Sequence, residues 1–397
     1  MRLRARHYRT GQMLDFVCEQ GRIVYMEPVG RERVDQEAEW VAPAFCDVQV
    51  NGCDGISFNS DALTAEQIQH VVEVCTRHGI AQLCPTLVTA SHDALVHGFR
   101  TIHQACERDA ELRRAIVGIH LEGPYISPED GPRGAHPKAH VRPADWEEFC
   151  RFQDAAGGMI RMVTVAPEVP GAIAFIEKAK QTGIVVALGH TGAAGTHIRD
   201  AIRAGARIST HLGNGSHAVL PRHENYLWEQ LAADGLWASM IADGHHLPDT
   251  VMRCMLRVKT PARMVLTCDA SPLAGSPPGK YAQWEHEFEV VSPSPPSPLP
   301  RRGEGRSCKI VVAGTPYLAG SWAFTDLCVR NVLRLGETSL AETIDMASNQ
   351  PRALLGLPPR RLEIGEPSEL ILFDAGPERD FQLRATIVGD QFIEPWL

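Results

Sequence analysis

No two of the eleven cysteines are spaced C-x-x-C. They stand singly, at Cys18, Cys46, Cys53, Cys75 and onward, which argues against a disulfide framework and for reduced thiols in the cytosol. An excess of positive charge is lacking too: 39 Lys and Arg face 48 Asp and Glu, a formal net charge of −9. A nucleic-acid-binding domain would show a basic stripe, so no polyanion partner is expected. No apolar run approaches the roughly 18 residues of a membrane span. The basic start, MRLRARHYRTGQ, is not followed by the apolar stretch of a secretory signal. These absences together predict a cytoplasmic protein without nucleic-acid or membrane partners.

The chain has 397 residues, 44% of them hydrophobic, enough for one large core and a smaller satellite domain. Five β-prone apolar runs lead straight into a His, Glu or Asp: GIHLEGP (118–124), VALGHT (186–191), RISTHLGNG (207–215), SMIADGHH (239–246) and VLTCDAS (265–271). Polar groups repeated at strand ends are how a (β/α)8 barrel builds an active site. Candidate strands fall at 44–50, 80–87, 115–121, 160–166, 184–189, 206–210, 237–241 and 263–268. Amphipathic stretches such as 64–79 and 172–183 separate them, and this alternation predicts an α/β chain with a (β/α)8 TIM barrel over 44–361. Residues 1–43 and 362–397 read as short strands and turns, which suggests a small β-sandwich domain formed by both termini. The segment 292–307, SPSPPSPLPRRGEGRS, is rich in Pro, Ser, Arg and Gly. It reads as a disordered insertion between paired strands at 285–291 and 308–314.

Glu122 follows the third strand, His190 the fifth and His211 the sixth. One carboxylate and two imidazoles at adjacent strand ends can converge on a divalent cation, and three protein ligands with an open position is the usual catalytic Zn2+ arrangement. Asp269, after the eighth strand, could ligate or could take a proton from the activated water. His120 fits a hydrogen-bonded histidine of the barrel interior. His217, His223 and His245 carry no comparable signal.

At these motifs the chain resembles the N-acetylglucosamine-6-phosphate deacetylases of the amidohydrolase superfamily, over nearly its whole length. APAFCDVQVNGCDG (42–55), HLEGPYIS (120–127), GAHP (134–137), GHT (189–191), THLGN (210–214), ADGHH (242–246), CDA (268–270) and LAGS (318–321) carry the resemblance. It implies that Glu122, His190 and His211 bind the metal and that Asp269 is the general base and later the acid. It further implies that His136 polarises the acetyl carbonyl. Asn214, Gly215 and His246 would contact substrate, and Leu318, Ala319 and Gly320 would line the pocket. Arg222 would meet the phosphate, in this family from across a homodimer interface. The expected cofactor is one divalent ion, Zn2+ first, with Fe2+, Mn2+ or Co2+ as alternatives.

Two departures bear on function. Where many amidohydrolases carry H-x-H, this chain has Gln49-x-Asn51, and neutral amides are poor Zn2+ ligands, so a single metal is expected. After Leu212 stand Gly213, Asn214, Gly215 and Ser216, where the family has a bulky residue and then Asn-Ala-Met. That loss opens the pocket floor. The expected activity is removal of the N-acetyl group from an amino-sugar phosphate. The alternatives are another N-acyl amino sugar, amide or cyclic imide on the same fold, and, from a different class, a sugar-phosphate binding protein without catalysis. Asp269 beside a complete ligand set argues against the last.

Overall fold

The structure, a computed structural model, describes residues 1–283, 286–292, 308–376 and 379–395. Eight parallel strands form one sheet in chain order: Phe45–Val50, Ile80–Val88, Ile119–Glu122, Ile160–Val165, Val185–Leu188, Ile208–Ser209, Trp237–Met240 and Met264–Leu266. Apart from Arg161, every residue in these strands is buried. Both faces are covered, which is why the strands read as continuous apolar runs rather than alternating ones.

The first and eighth strands close the barrel. Val50 bridges Ala270, and the Asn51 backbone N–H donates to the Ala270 carbonyl at 2.9 Å. The fully buried Asp47 carboxylate reinforces this seam by accepting from the Cys268 N–H at 2.8 Å and the Thr325 hydroxyl at 2.6 Å.

The helices pack outside. Ala65–Arg77 shows how the sequence sets one: Thr64 and Gln67 form a capping box, and Ile68, Val71, Val74 and Cys75 lie on the buried face. Gly79 then turns the chain at φ 82°, with no room for a side chain, since a Cβ would sit 2.8 Å from the Phe45 ring. Inside the barrel lies an apolar layer of Val48, Cys84, Met162, Val185, Ala187, Ile208, Trp237 and Val265, plugged by Leu354 and Leu355. A polar layer includes His120, whose ring meets the Val48 carbonyl at 3.1 Å and the Thr164 hydroxyl at 2.8 Å. Burial lowers the His120 pKa to about 4, so it is a neutral, hydrogen-bonded interior histidine.

The third strand begins at Ile119, not at 115 as the apolar run suggests. Asp109 caps a short helix, Ala110–Ala115, by accepting from the Glu111 and Leu112 N–H groups. That helix consumes the start of the run.

Strands from both ends of the chain form a seven-stranded sheet. Its order is Gln391–Ile393, Arg379–Val388, Glu369–Gly376, Gln36–Pro43, Arg2–His7, Met13–Glu19, Arg22–Pro28. Gln20 and Gly21, at φ 51° and 72°, make the tight turn between its last two members. A three-stranded sheet of Gly279–Gln283, His286–Val291 and Lys309–Val312 packs over Leu273 and Ala319. Residues 293–307, nearly all of the expected insertion, lie outside the described residues. Among the described residues no helix is long and apolar enough to cross a membrane.

Candidate active site

Glu122, His190, His211 and Asp269 all stand at the C-terminal ends of barrel strands. Three of them sit on backbone that side chains disfavour: φ is 50° at His190, 30° at His211 and 51° at Asp269. Glu122 Oε1 lies 3.1 Å from His190 Nε2 and 3.0 Å from His211 Nε2, and the two nitrogens are 3.1 Å apart. A tetrahedral cation with bonds of about 2.0–2.1 Å would space its ligands by about 3.3 Å. The triangle fits a divalent metal.

Hydrogen bonds to Pro132 and Thr89 fix which nitrogen of His190 and of His136 is available. His190 Nδ1 faces the Pro132 carbonyl at 2.9 Å. A carbonyl only accepts, so Nδ1 carries the proton and Nε2 keeps its lone pair for a cation. His136 is the reverse: its Nδ1 accepts from the Thr89 N–H at 3.4 Å and lies 2.8 Å from the Thr89 hydroxyl. Its Nε2 therefore bears a hydrogen. Glu122, His136 and His190 also cluster closely enough to be read as a ligand trio. His136 Nε2, which carries a hydrogen, is 4.0 Å from Glu122 Oε2, whereas His211 Nε2 is 3.0 Å from Glu122 Oε1.

Burial opposes charge on both Glu122 and His211. Their mutual contact, with His190 beside Glu122, still lowers the Glu122 pKa well below the usual carboxylate range and raises that of His211. Asp269 behaves oppositely. Burial and the negative charge of Glu122 push it up to about 6.

Gln49 and Asn51 donate their amides to these carboxylates. Gln49 Nε2 reaches Glu122 Oε1 at 2.9 Å, and Asn51 Nδ2 reaches Asp269 Oδ1 at 2.7 Å. The sequence marked them only as missing ligands. Their period-two spacing on the first strand was the available signal that both point to the barrel mouth.

A cavity of about 280 Å3 opens over the triangle. Asn51, Glu122, His136, His190, His211, Asn214, Gly215, His246, Asp269, Leu318, Ala319 and Gly320 line it, so nearly every expected site residue meets there. Arg222 does not: it is exposed, in the loop beyond the sixth strand, and outside this lining. Gly215 explains the small residues of that loop. At φ 55°, a Cβ there would come within 2.8 Å of His190 Nδ1 and 3.2 Å of the Pro132 carbonyl. Sequence reading also missed Thr89, which orients His136, and Tyr317, which is exposed at the cavity's rim. Neither belongs to a recognisable motif.

Known proteins resemble this chain throughout. A human N-acetylglucosamine-6-phosphate deacetylase is 33% identical over 382 residues, covering 92% of this chain and 86% of its own. An N-acetylgalactosamine-6-phosphate deacetylase of Escherichia coli O157:H7 is 30% identical over 359 residues, covering 90% and 89%. The N-acetyl-D-glucosamine-6-phosphate deacetylase of Mycobacterium smegmatis, solved with N-acetyl-D-glucosamine-6-phosphate, superposes with a TM-score of 0.84 at 28% identity, covering 99% of each chain. No protein-family model matches the chain.

Proposed function

The chain belongs to the N-acetylglucosamine-6-phosphate deacetylase family of the amidohydrolase superfamily, and from there we propose that it hydrolyses N-acetylglucosamine-6-phosphate to glucosamine-6-phosphate and acetate. The observation that carries this reading is Asp269, buried and held by Asn51 beside the Glu122–His190–His211 triangle. A protein that only bound sugar phosphates would not need such a proton acceptor.

Glu122, His190 and His211 would hold one divalent ion, Zn2+ by the donor set, with Fe2+, Mn2+ or Co2+ as alternatives. When bound, the ion supplies an activated water and an electrophile for the acetyl oxygen. Asp269 removes the proton from the attacking water and later delivers it to the departing amine. His136 donates its Nε2 hydrogen to the oxygen of the acetyl group as negative charge builds there. Asn214 stays near the sixth strand by donating its side-chain amide to the His211 carbonyl at 3.2 Å, which leaves it and Gly215 facing substrate.

Arg222 lies off the cavity of its own chain, with Val219 and Trp228 exposed nearby on the same segment. Both facts support a homodimer in which Arg222 of one copy meets the phosphate bound by the other. The unpaired thiols, eight of the eleven buried, and a phosphorylated substrate support a cytoplasmic setting. A second substrate, N-acetylgalactosamine-6-phosphate, is favoured by the Escherichia coli relative. Acetate release from N-acetyl hexosamines, with and without 6-phosphate and with Zn2+ supplied, tests the assignment. Preference for an unphosphorylated sugar would overturn it.

A further inference from the structure

We infer that a second cleft, between the terminal sheet and helix Thr325–Leu335, binds a nucleotide, with the phosphate on Arg330 and the base against Trp40. The cleft has a volume of about 1120 Å3 and shares no lining residue with the cavity over Glu122. Helices Thr325–Leu335 and Leu340–Ala347 form one wall. Residues 8–11 and strands Gln36–Pro43 and Arg379–Val388 form the other.

Among the described residues, Arg9, Arg330, Arg334 and Arg379 line this cleft against one carboxylate, Asp380. Three of the four are already engaged. Arg9 pairs with Asp345, Arg379 pairs with Asp374 at 2.7 Å, and Arg334 lies 3.8 Å from Asp380. Arg330 is half-buried, and its Nε is enclosed without a hydrogen-bond partner. No described residue bonds or pairs with the rest of its guanidinium. A guanidinium cannot shed its charge, so an enclosed one without a partner points to an anion supplied from outside. Its fork suits a phosphate, whose oxygens accept two parallel N–H bonds. The start of helix Leu340–Ala347 opens here too, but Glu342 already accepts from the Ser339 N–H and hydroxyl, both at 2.8 Å. The arginine side chain, not the helix end, therefore receives the anion.

A bare phosphate would leave most of this volume unfilled. Tyr8, Trp40, Leu333, Leu340 and Phe381 add apolar surface beside the arginines. Trp40 Nε1 donates to the Ala375 carbonyl at 2.9 Å, which fixes the plane of its half-buried ring. A flat heterocycle stacks well on an aromatic ring held in this way. A cation for phosphate together with a stacking surface matches a nucleoside phosphate better than an acidic peptide, which brings charge without the flat ring.

Calorimetric titration of the full, metal-loaded chain tests this with AMP and UMP as probes, and with adenosine, uridine and inorganic phosphate as controls. At least one nucleotide should bind at one site per chain, and the controls should bind at least about tenfold more weakly. Arg330→Gln should weaken nucleotide binding roughly 10–100-fold, the loss expected for hydrogen bonds to a charged partner. It should leave Tm within about 2 °C of wild type, since no internal partner is lost. The nucleotide should also quench tryptophan emission, and Trp40→Phe should remove that quench, a readout that stands without the arginine variant. No nucleotide binding up to about 5 mM would overturn the inference. So would nucleosides or phosphate binding as tightly as the nucleotide, unchanged affinity in Arg330→Gln, or a quench that survives Trp40→Phe. Polyglutamate binding through Arg330 where nucleotides do not bind would assign the cleft to a protein segment instead.

Discussion

Left-handed backbone at His190, His211 and Asp269 costs about 1–3 kcal/mol per residue, and surrounding contacts must sustain it. The Ser239 hydroxyl accepts from the His211 N–H at 2.7 Å, and the Asp269 carbonyl accepts from the Ser321 N–H at 2.8 Å. What the strain achieves is direction: three side chains at the ends of three strands turn toward one point. Asp269→Asn preserves size and one acceptor but removes the proposed base. Its kcat should fall by roughly 10²–10⁴-fold, while metal analysis still finds the ion in place. Loss of the metal in that variant would make Asp269 a ligand instead. Gly215→Ala tests the other side of the site. The new methyl would displace the His190 ring or the Pro132 carbonyl that fixes its tautomer. Disturbing such an outer contact typically lowers metal affinity about 10–100-fold. A metal titration of the purified variant reads this directly, and unchanged affinity would show that the loop yields instead.

Between elements, the contacts that hold the helices in place can be read in the same way. Glu337, just after helix Thr325–Leu335, accepts from Arg257 at 2.7 and 2.8 Å and from Arg253 at 2.7 Å, both on helix Asp249–Lys259. Those hydrogen bonds from Arg257 and Arg253 lower its pKa from 4.5 to about 2. A carboxyl depressed in the folded state stabilises above its unfolded pKa and loses that contribution as pH falls through the folded one. The stability gap between wild type and Glu337→Gln should therefore be full at neutral pH and close between about 4.5 and 2. Urea unfolding at several pH values measures it, and a gap constant down to pH 3 would disprove the linkage. Such ties are hard to see in the sequence, whereas the strands are easy. Burial on both faces makes each barrel strand an uninterrupted apolar run, so the eight positions were legible. The third was misjudged at its start because a capped helical turn at Asp109 competes for the same apolar residues. Glu122, His190, His211 and Asp269 were legible because each ends such a run. The roles of Gln49 and Asn51 were not. Asn51 meets Asp269 across 218 residues and Gln49 meets Glu122 across 73, and no local pattern encodes such a partner.

At the scale of the whole molecule, the proposed metal site would tie the third, fifth and sixth strand ends into one unit. A ligand present at a hundred times its Kd adds about 2.7 kcal/mol to stability. Stripping the ion with a chelator should lower Tm by about 2–5 °C, and refilling should restore it with one ion per chain. Two tightly held ions would contradict the amide pair at Gln49 and Asn51. The terminal sheet has a different consequence, one of timing. Its centre pairs Gln36–Pro43 with Glu369–Gly376, and Glu39 donates to Asp374 from 335 residues away. The early strands thus leave the ribosome long before the neighbour that covers them. Until synthesis passes Glu369, the flank of Gln36–Pro43 that will pair with it presents free backbone N–H and C=O groups, an open template for pairing with other chains. The barrel can condense meanwhile from local strand–helix units, but the sheet must wait for the last stretch of chain. Slow, long-range closure of this kind makes yield during production sensitive to temperature and to chaperones, even where the finished protein is stable.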